Sequence, residues 1–124
     1  MLLIGIGLDL VEIPQFRALY ALDDLVVLGR VFTTFELGEA VNSNSQIDRL
    51  AGRFAAKEAV LKVLGGLQQG TAMTDIEVRA SAGQPTIHLS GQAAFRAEQM
   101  RINSWLLSIT HSQNAAAAVV IASG

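Results

Sequence analysis

The stretch RFAAKEAVLKVLGG, residues 53–66, decides how the rest of the chain is read. Its charges are Arg53, Lys57, Glu58 and Lys62, set in a run of Phe, Ala, Val and Leu. At about 100° per residue, Glu58 and Lys62 fall together on one side of a helix and Arg53 and Lys57 on another. Phe54, Val60, Leu61, Val63 and Leu64 lie between them, with alanines in the remainder. No continuous polar stripe is left, so this helix is expected to be largely buried. Buried charges must be paired or must hold something charged. The helix should start near Gln46 and run to about Leu64, where Gly65 and Gly66 are stop signals.

Working outward, LLIGIGL at residues 2–8 reads as a strand rich in branched side chains. Alternation puts Leu2, Ile4, Ile6 and Leu8 on one face, and Gly5, Gly7 and Asp9 on the other. Glycine within a strand marks close approach of a ligand or of another backbone. Pro14 suits a first helical turn, and one helix is expected from there to about Leu28. Thr33 and Glu36 have capping-box spacing ahead of a short helix that fades at NSNS. After the central helix, LQQGTAM reads as a loop. TDIEVR and TIHLS then form a hairpin around SAGQP, with Ile76 and Val78 inward. Ser90 is placed to cap a helix over GQAAFRAEQMR, and SWLLSIT and AAAAVVI are two final strands joined at HSQN. Strand, helices, then hairpins with one helix between them is an α+β order, with antiparallel strands around a long central helix.

The 124 residues suit a single domain spanning 1–124. Half the residues are hydrophobic (51%), which excludes disorder and suggests that some apolar surface lies between subunits. A net charge of −2 gives no reason to expect nucleic acid. The absence of cysteine excludes disulfides and thiolate metal sites and fits a reducing compartment. MLLIGIGLDL has no basic segment before its apolar run, and AAAAVVIA is too short to span a bilayer, so a cytoplasmic protein is expected.

The plainer reading of Glu58 and Lys62 is a helical ion pair contributing ~0.3–0.5 kcal/mol. Arg53 and Lys57 can likewise be solvated, and a lone Asp at a strand end is commonly a cap. Taken together, two carboxylates and three cations describe a different chemistry. A carboxylate pair holds Mg²⁺ with water and substrate phosphate completing its shell, and Lys and Arg neutralise the remaining phosphate oxygens. The target of that chemistry is a phosphorylated ligand.

GIGLDLVEI and GRFAAKEAVLKVLG together resemble the two signature segments of the holo-acyl-carrier-protein synthase family, the small phosphopantetheinyl transferases. VFTTFEL, TDIEV, GQP and SWLLSITHS agree with the family in order, so the resemblance covers nearly the whole chain. It implies an α+β enzyme that moves the 4′-phosphopantetheine arm of coenzyme A to a serine of an apo acyl carrier protein, releasing adenosine 3′,5′-bisphosphate. It also implies Mg²⁺ and a homotrimer with active sites between subunits. By the resemblance, Asp9 and Glu58 ligate Mg²⁺ on the pyrophosphate, and Lys62 stabilises developing charge beside it. His111 lies near the coenzyme A phosphates, Arg53 and Lys57 are cations of the binding site, and Gly65 and Pro85 lie near the nucleotide. Glu58, directly or through a metal-bound water, is the expected base for the serine proton. His88 and Trp105 are expected to be structural.

The chain departs from the family in the loop GGLQQGTAM, which lacks some of the usual glycine and aromatic pattern, and on its first helix. Such enzymes meet acidic carriers with basic residues on the first helix, where this chain has Pro14, Gln15 and Phe16, then Arg17, then Asp23 and Asp24. That keeps open an alternative: a module of the same fold that binds coenzyme A, or only assembles, with weak or no transfer.

Overall fold

The computed structural model describes residues 1–20, 24–41, 45–67, 70–80 and 83–124. In chain order the described elements are β1 (Leu3–Glu12), α1 (Ile13–Leu19), α2 (Leu25–Leu28), α3 (Thr34–Val41) and α4 (Gln46–Leu64). A 3₁₀ turn (Met73–Asp75), β2 (Ile76–Arg79), β3 (Thr86–Leu89), α5 (Gly91–Gln99), β4 (Ser104–His111) and β5 (Ala115–Ser123) follow. The fold is α+β. An antiparallel sheet of order β1-β5-β4 carries α4 across one face, and β2 and β3 pair as a separate antiparallel hairpin.

Helix α4 has the bounds that its sequence predicts, and it is enclosed as expected. Leu50, Ala51, Ala55, Ala56, Ala59, Val60, Leu61 and Leu64 are all buried. Gly65 ends the helix in the left-handed region at φ 92°, a conformation that costs any residue with a Cβ. The alanines matter because small side chains let the helix axis sink close to the sheet.

The sheet makes the matching concession at β1. A Cβ on Gly7 would lie 2.0 Å from the carbonyl oxygen of Ala59, and one on Gly5 would lie 3.0 Å from Val63 Cγ1. Of the two uses of strand glycine, close approach of another backbone is the one realised. The glycine face therefore packs on α4, and the apolar face turns away. Ile6, Leu8 and Leu10 are each more than 60% exposed, and Leu106 of β4 is exposed beside them. Ile4 leaves the expected row and packs against the core, because the β1–β5 register shifts between Leu3 and Gly5.

The single helix expected from Pro14 to about Leu28 is two helices. Tyr20 leaves helical geometry at φ −125°, ψ 87°, and Asp24 caps α2 by accepting from Val27 N at 3.2 Å. Residues 21–23 lie outside the described residues. The physical reason is burial. Phe16 and Leu28 both belong to the core at 3% and 2% exposure. One straight helix would hold them about 18 Å apart. Breaking it lets both reach one hydrophobic core, in which the Phe16 ring lies 6.3 Å from that of Phe32 and 5.5 Å from that of Phe54.

The capping box forms as its spacing predicts. Thr33 N donates to Glu36 Oε1 at 2.9 Å, and Glu36 N to Thr33 Oγ1 at 3.2 Å. Ile76 and Val78 are fully buried, as expected of the inward face of the hairpin. Ser90 precedes α5 but makes no side-chain capping bond. Parts of the predicted NSNS, LQQGTAM and SAGQP connections lie outside the described residues.

The close approach at Gly7 makes a prediction about stability. Gly7→Ala should remove about 3 kcal/mol or more from the free energy of urea unfolding, because a backbone carbonyl cannot step aside. Gly38→Ala is the control. It is helical with open space around it and should raise stability by about 0.5–1 kcal/mol.

Candidate active site

The crossing of β1 and α4 places three predicted site residues together. Asp9 stands two residues along β1 from Gly7, and Glu58 stands one residue before Ala59 on α4. Lys62 follows one turn later. Its Nζ donates to Leu8 O at 2.7 Å and to Asp9 Oδ1 at 3.1 Å. Lys62 therefore leans onto β1, where the plainer sequence reading pairs it with Glu58 along the helix. It remains about half exposed (55%), so the contact adds little stability and the lysine can turn to a ligand.

Glu58 is half-buried, and its carboxyl is raised above the ordinary value. Burial is the largest cause, the negative charge of Asp9 adds to it, and Lys62 acts in the opposite direction. Two carboxylates that feel each other's charge are a natural place for a hard dication. The donor set fits Mg²⁺, because Asp9 and Glu58 offer carboxylate oxygens to one hollow. Water and substrate oxygens would have to supply the remaining ligands. Asp9 and Glu58 share a hollow of about 260 Å³ with Gln15, Leu19 and Tyr20 of the α1 segment.

Arg53, Pro85 and His111 come together elsewhere. They line a second hollow of about 310 Å³ with Asp48 and Arg49, and it shares no described lining residue with the first. Arg53 donates from Nη2 to Glu39 Oε1 at 2.9 Å. Among the described residues, its Nε and Nη1 have no hydrogen-bond partner although both are buried. Buried guanidinium donors without acceptors are costly, and an anion in this hollow would relieve that cost. Gly65 is the left-handed cap of α4, and its position after Lys62 keeps it at the carboxylate end.

Lys57 does not join either hollow, which corrects its expected role as a coenzyme A contact. It is fully buried, and its Nζ is 2.7 Å from Glu36 Oε1. It also donates to Met73 O at 3.1 Å and to Ile76 O. Three acceptors use all three ammonium protons, so none is left for a phosphate. Burial pushes Lys57 down and Glu36 up, and their mutual attraction opposes both shifts. Glu36 is held further by Val78 N, which donates to its Oε2 at 2.7 Å. His88 is exposed on β3 against Thr86 Oγ1, and Trp105 packs against the core.

Glu36 and Glu39 were not legible as partners of these cations. Their spacing of three on α3 matches the spacing of four between Arg53 and Lys57 on α4, which was the available signal.

The family model for the 4′-phosphopantetheinyl transferase superfamily matches residues 5–120. The chain belongs to this superfamily. The holo-[acyl-carrier-protein] synthase of Streptomyces coelicolor is 40% identical over 126 residues, covering 100% of both chains. That of Solidesulfovibrio magneticus is 40% identical, covering 97% of this chain and 98% of its own. Among solved structures, the Neisseria meningitidis synthase aligns over 99% of this chain and 100% of its own with a TM-score of 0.87 at 28% identity. The Helicobacter pylori synthase in complex with coenzyme A aligns over 96% of this chain and 100% of its own, with a TM-score of 0.79 at 30% identity. The superfamily fold thus extends over this chain end to end. Among the described residues, no helix is long and apolar enough to cross a membrane.

The raised Glu58 carboxyl predicts a separation of stability from function. It binds its proton more tightly in the folded chain than in the unfolded one. The stability that this proton lends is present below the ordinary glutamate value and is lost as pH rises through the raised value. At neutral pH in chelator, Glu58→Gln should therefore melt no lower than the parent, and the parent's fall in melting temperature as pH rises through the raised Glu58 value should flatten. A variant that melts well below the parent at pH 7 would show that Glu58 stabilises the fold.

Proposed function

We propose that this chain is a holo-acyl-carrier-protein synthase. It transfers the 4′-phosphopantetheine arm of coenzyme A to a serine hydroxyl of an apo acyl carrier protein and releases adenosine 3′,5′-bisphosphate. The observation that carries the reading is the assembly of Asp9, Glu58 and Lys62 at the β1–α4 crossing, in a chain that aligns end to end with named synthases.

The chemistry follows from those three side chains. The serine Oγ attacks the β-phosphorus of coenzyme A, and the bond from that phosphorus to the bridging oxygen breaks. Asp9 and Glu58 would hold Mg²⁺, which when bound neutralises charge on the pyrophosphate. Lys62, exposed enough to turn from Asp9, offsets charge that grows on the leaving phosphate. Glu58, directly or through a water, takes the serine proton, and its place beside Asp9 in the hollow suits that role. Arg53 and His111 bind phosphate of the nucleotide, with Pro85 forming the wall beside it. The exposed part of α1, with Gln15, Arg17 and Leu19, offers the carrier a surface with little positive charge.

The separation of the two hollows suggests how the molecule assembles. Arg53 and Glu58 stand about 140° apart around α4. One coenzyme A molecule that meets both needs the carboxylate hollow of one copy and the arginine hollow of another. The unpaired apolar face of the sheet, Ile6, Leu8, Leu10 and Leu106, supplies surface for that union. We therefore propose a homotrimer with shared sites.

The intact mass of an apo acyl carrier protein should rise by one phosphopantetheine arm after incubation with this chain, coenzyme A and Mg²⁺. Chelation should abolish the gain. Coenzyme A binding with no mass gain on any of several carriers would instead favour a binding module.

Shared sites predict complementation. Glu58→Gln and Arg53→Ala should each transfer slowly alone, and a mixture refolded together should recover a sizeable fraction of parent activity. If mixing recovers nothing, each site is built within one copy.

A further inference from the structure

The two cations of α4 that face α3 stand on a ladder of matching parts. In the first rung, Lys57 meets Glu36, which also accepts from Val78 N of β2 at 2.7 Å. In the second, Arg53 meets Glu39, which also accepts from Ala80 N at 3.3 Å, two residues further along the same strand direction. Each glutamate of α3 thus joins one cation of α4 to one backbone N–H at or just beyond β2. The rungs differ in what is left over. The lysine rung is sealed: its partners account for every proton on Nζ. The arginine rung is not, because Nε and Nη1 of Arg53 have no partner among the described residues while Arg53 helps to wall the second hollow.

We infer that Glu39 is a positioning residue, which holds the Arg53 guanidinium by Nη2 so that its remaining donors are presented to an anionic group of coenzyme A in the hollow of Arg49, Pro85 and His111. This inference rests on the proposed use of that hollow by coenzyme A. A flexible arginine must lose rotamer freedom each time it binds a phosphate, and an arginine already tethered has lost it in advance. The tether works only from an element that cannot drift. The sealed Glu36–Lys57 rung, one turn along α4, supplies that fixity by locking α3, α4 and the start of β2 together.

Titration calorimetry with coenzyme A tests this directly, alongside melting temperatures of each variant. Glu39→Ala should weaken binding by about tenfold, the scale of one charge-assisted contact. Arg53→Ala should weaken it at least as much, and the double variant should be no weaker than Arg53→Ala alone, because Glu39 acts through Arg53. Glu39→Gln, which can still accept from Nη2 and Ala80 N, should recover much of the loss.

Unchanged or tighter binding in Glu39→Ala would overturn the inference, and tighter binding would mean that Glu39 competes with the ligand for Arg53. Losses that multiply in the double variant would overturn it as well. If Glu39→Ala does not fold, Glu39→Met, which keeps the side chain's length but has no oxygen to accept from Nη2, decides: weaker binding at an unchanged melting temperature supports the tether, and parent-like binding rejects it. Absence of transfer by the parent would sink the transferase reading alone, since calorimetry does not depend on transfer.

Discussion

The contact on which the rest of the molecule depends is the one between Gly7 and the carbonyl of Ala59. A side chain there is impossible, with a Cβ only 2.0 Å from the oxygen, so α4 lies on β1 at backbone distance. Everything at the carboxylate end follows from that depth. Asp9 is two residues from one partner in the contact and Glu58 is adjacent to the other. Lys62 can then reach both the Leu8 carbonyl and the Asp9 carboxylate from the next turn. A helix seated a few ångströms higher would keep the same core residues and separate the carboxylates. The cost of placing two negative charges together is visible in the raised Glu58 carboxyl, the kind of local expense that folds carry at functional sites.

Much of this was legible in the sequence where a local rule governs. The bounds of α4 follow from its apolar run and Gly65, and the α3 start follows from the Thr33–Glu36 box. The β2–β3 hairpin follows from alternation around Ile76 and Val78. The readings that failed were those needing knowledge of what lies across the gap. Periodicity carries a helix from Pro14 through Leu28, because nothing local says that Phe16 and Leu28 must reach one core. The glycines of β1 announce a close approach without saying that α4 is what approaches. Lys62 could pair along its helix or across to β1, and spacing alone favours the wrong partner.

The site divides in the same way. Asp9, Glu58 and Lys62 meet, and Arg53, Pro85 and His111 meet, but not with each other. A signature read along the chain makes Arg53 and Glu58 look like neighbours, whereas the helix turns them to different sides. Burial completes the asymmetry, because one face of the β1-β5-β4 sheet is covered by α4 and the other presents Ile6, Leu8, Leu10 and Leu106 to solvent. The proposed assembly rests on these two separate hollows and on the uncovered apolar sheet.

Lys57 and Glu58 show how consecutive residues of one motif divide the labour. They differ by about 100° around α4, enough to send one into the protein and the other toward a hollow. Removing one partner from a buried pair such as Lys57 and Glu36 costs about 3–5 kcal/mol, because the other charge is left uncompensated. That cost is what resists rotation of α4: turning the helix would pull Nζ from the carboxylate of Glu36 and from two carbonyls at once. Rotation is also the motion that would carry Glu58 away from Asp9. A lysine with no reach to any ligand therefore fixes the direction in which the neighbouring glutamate points. A signature that places Lys and Glu side by side encodes an anchor and the group that it aims.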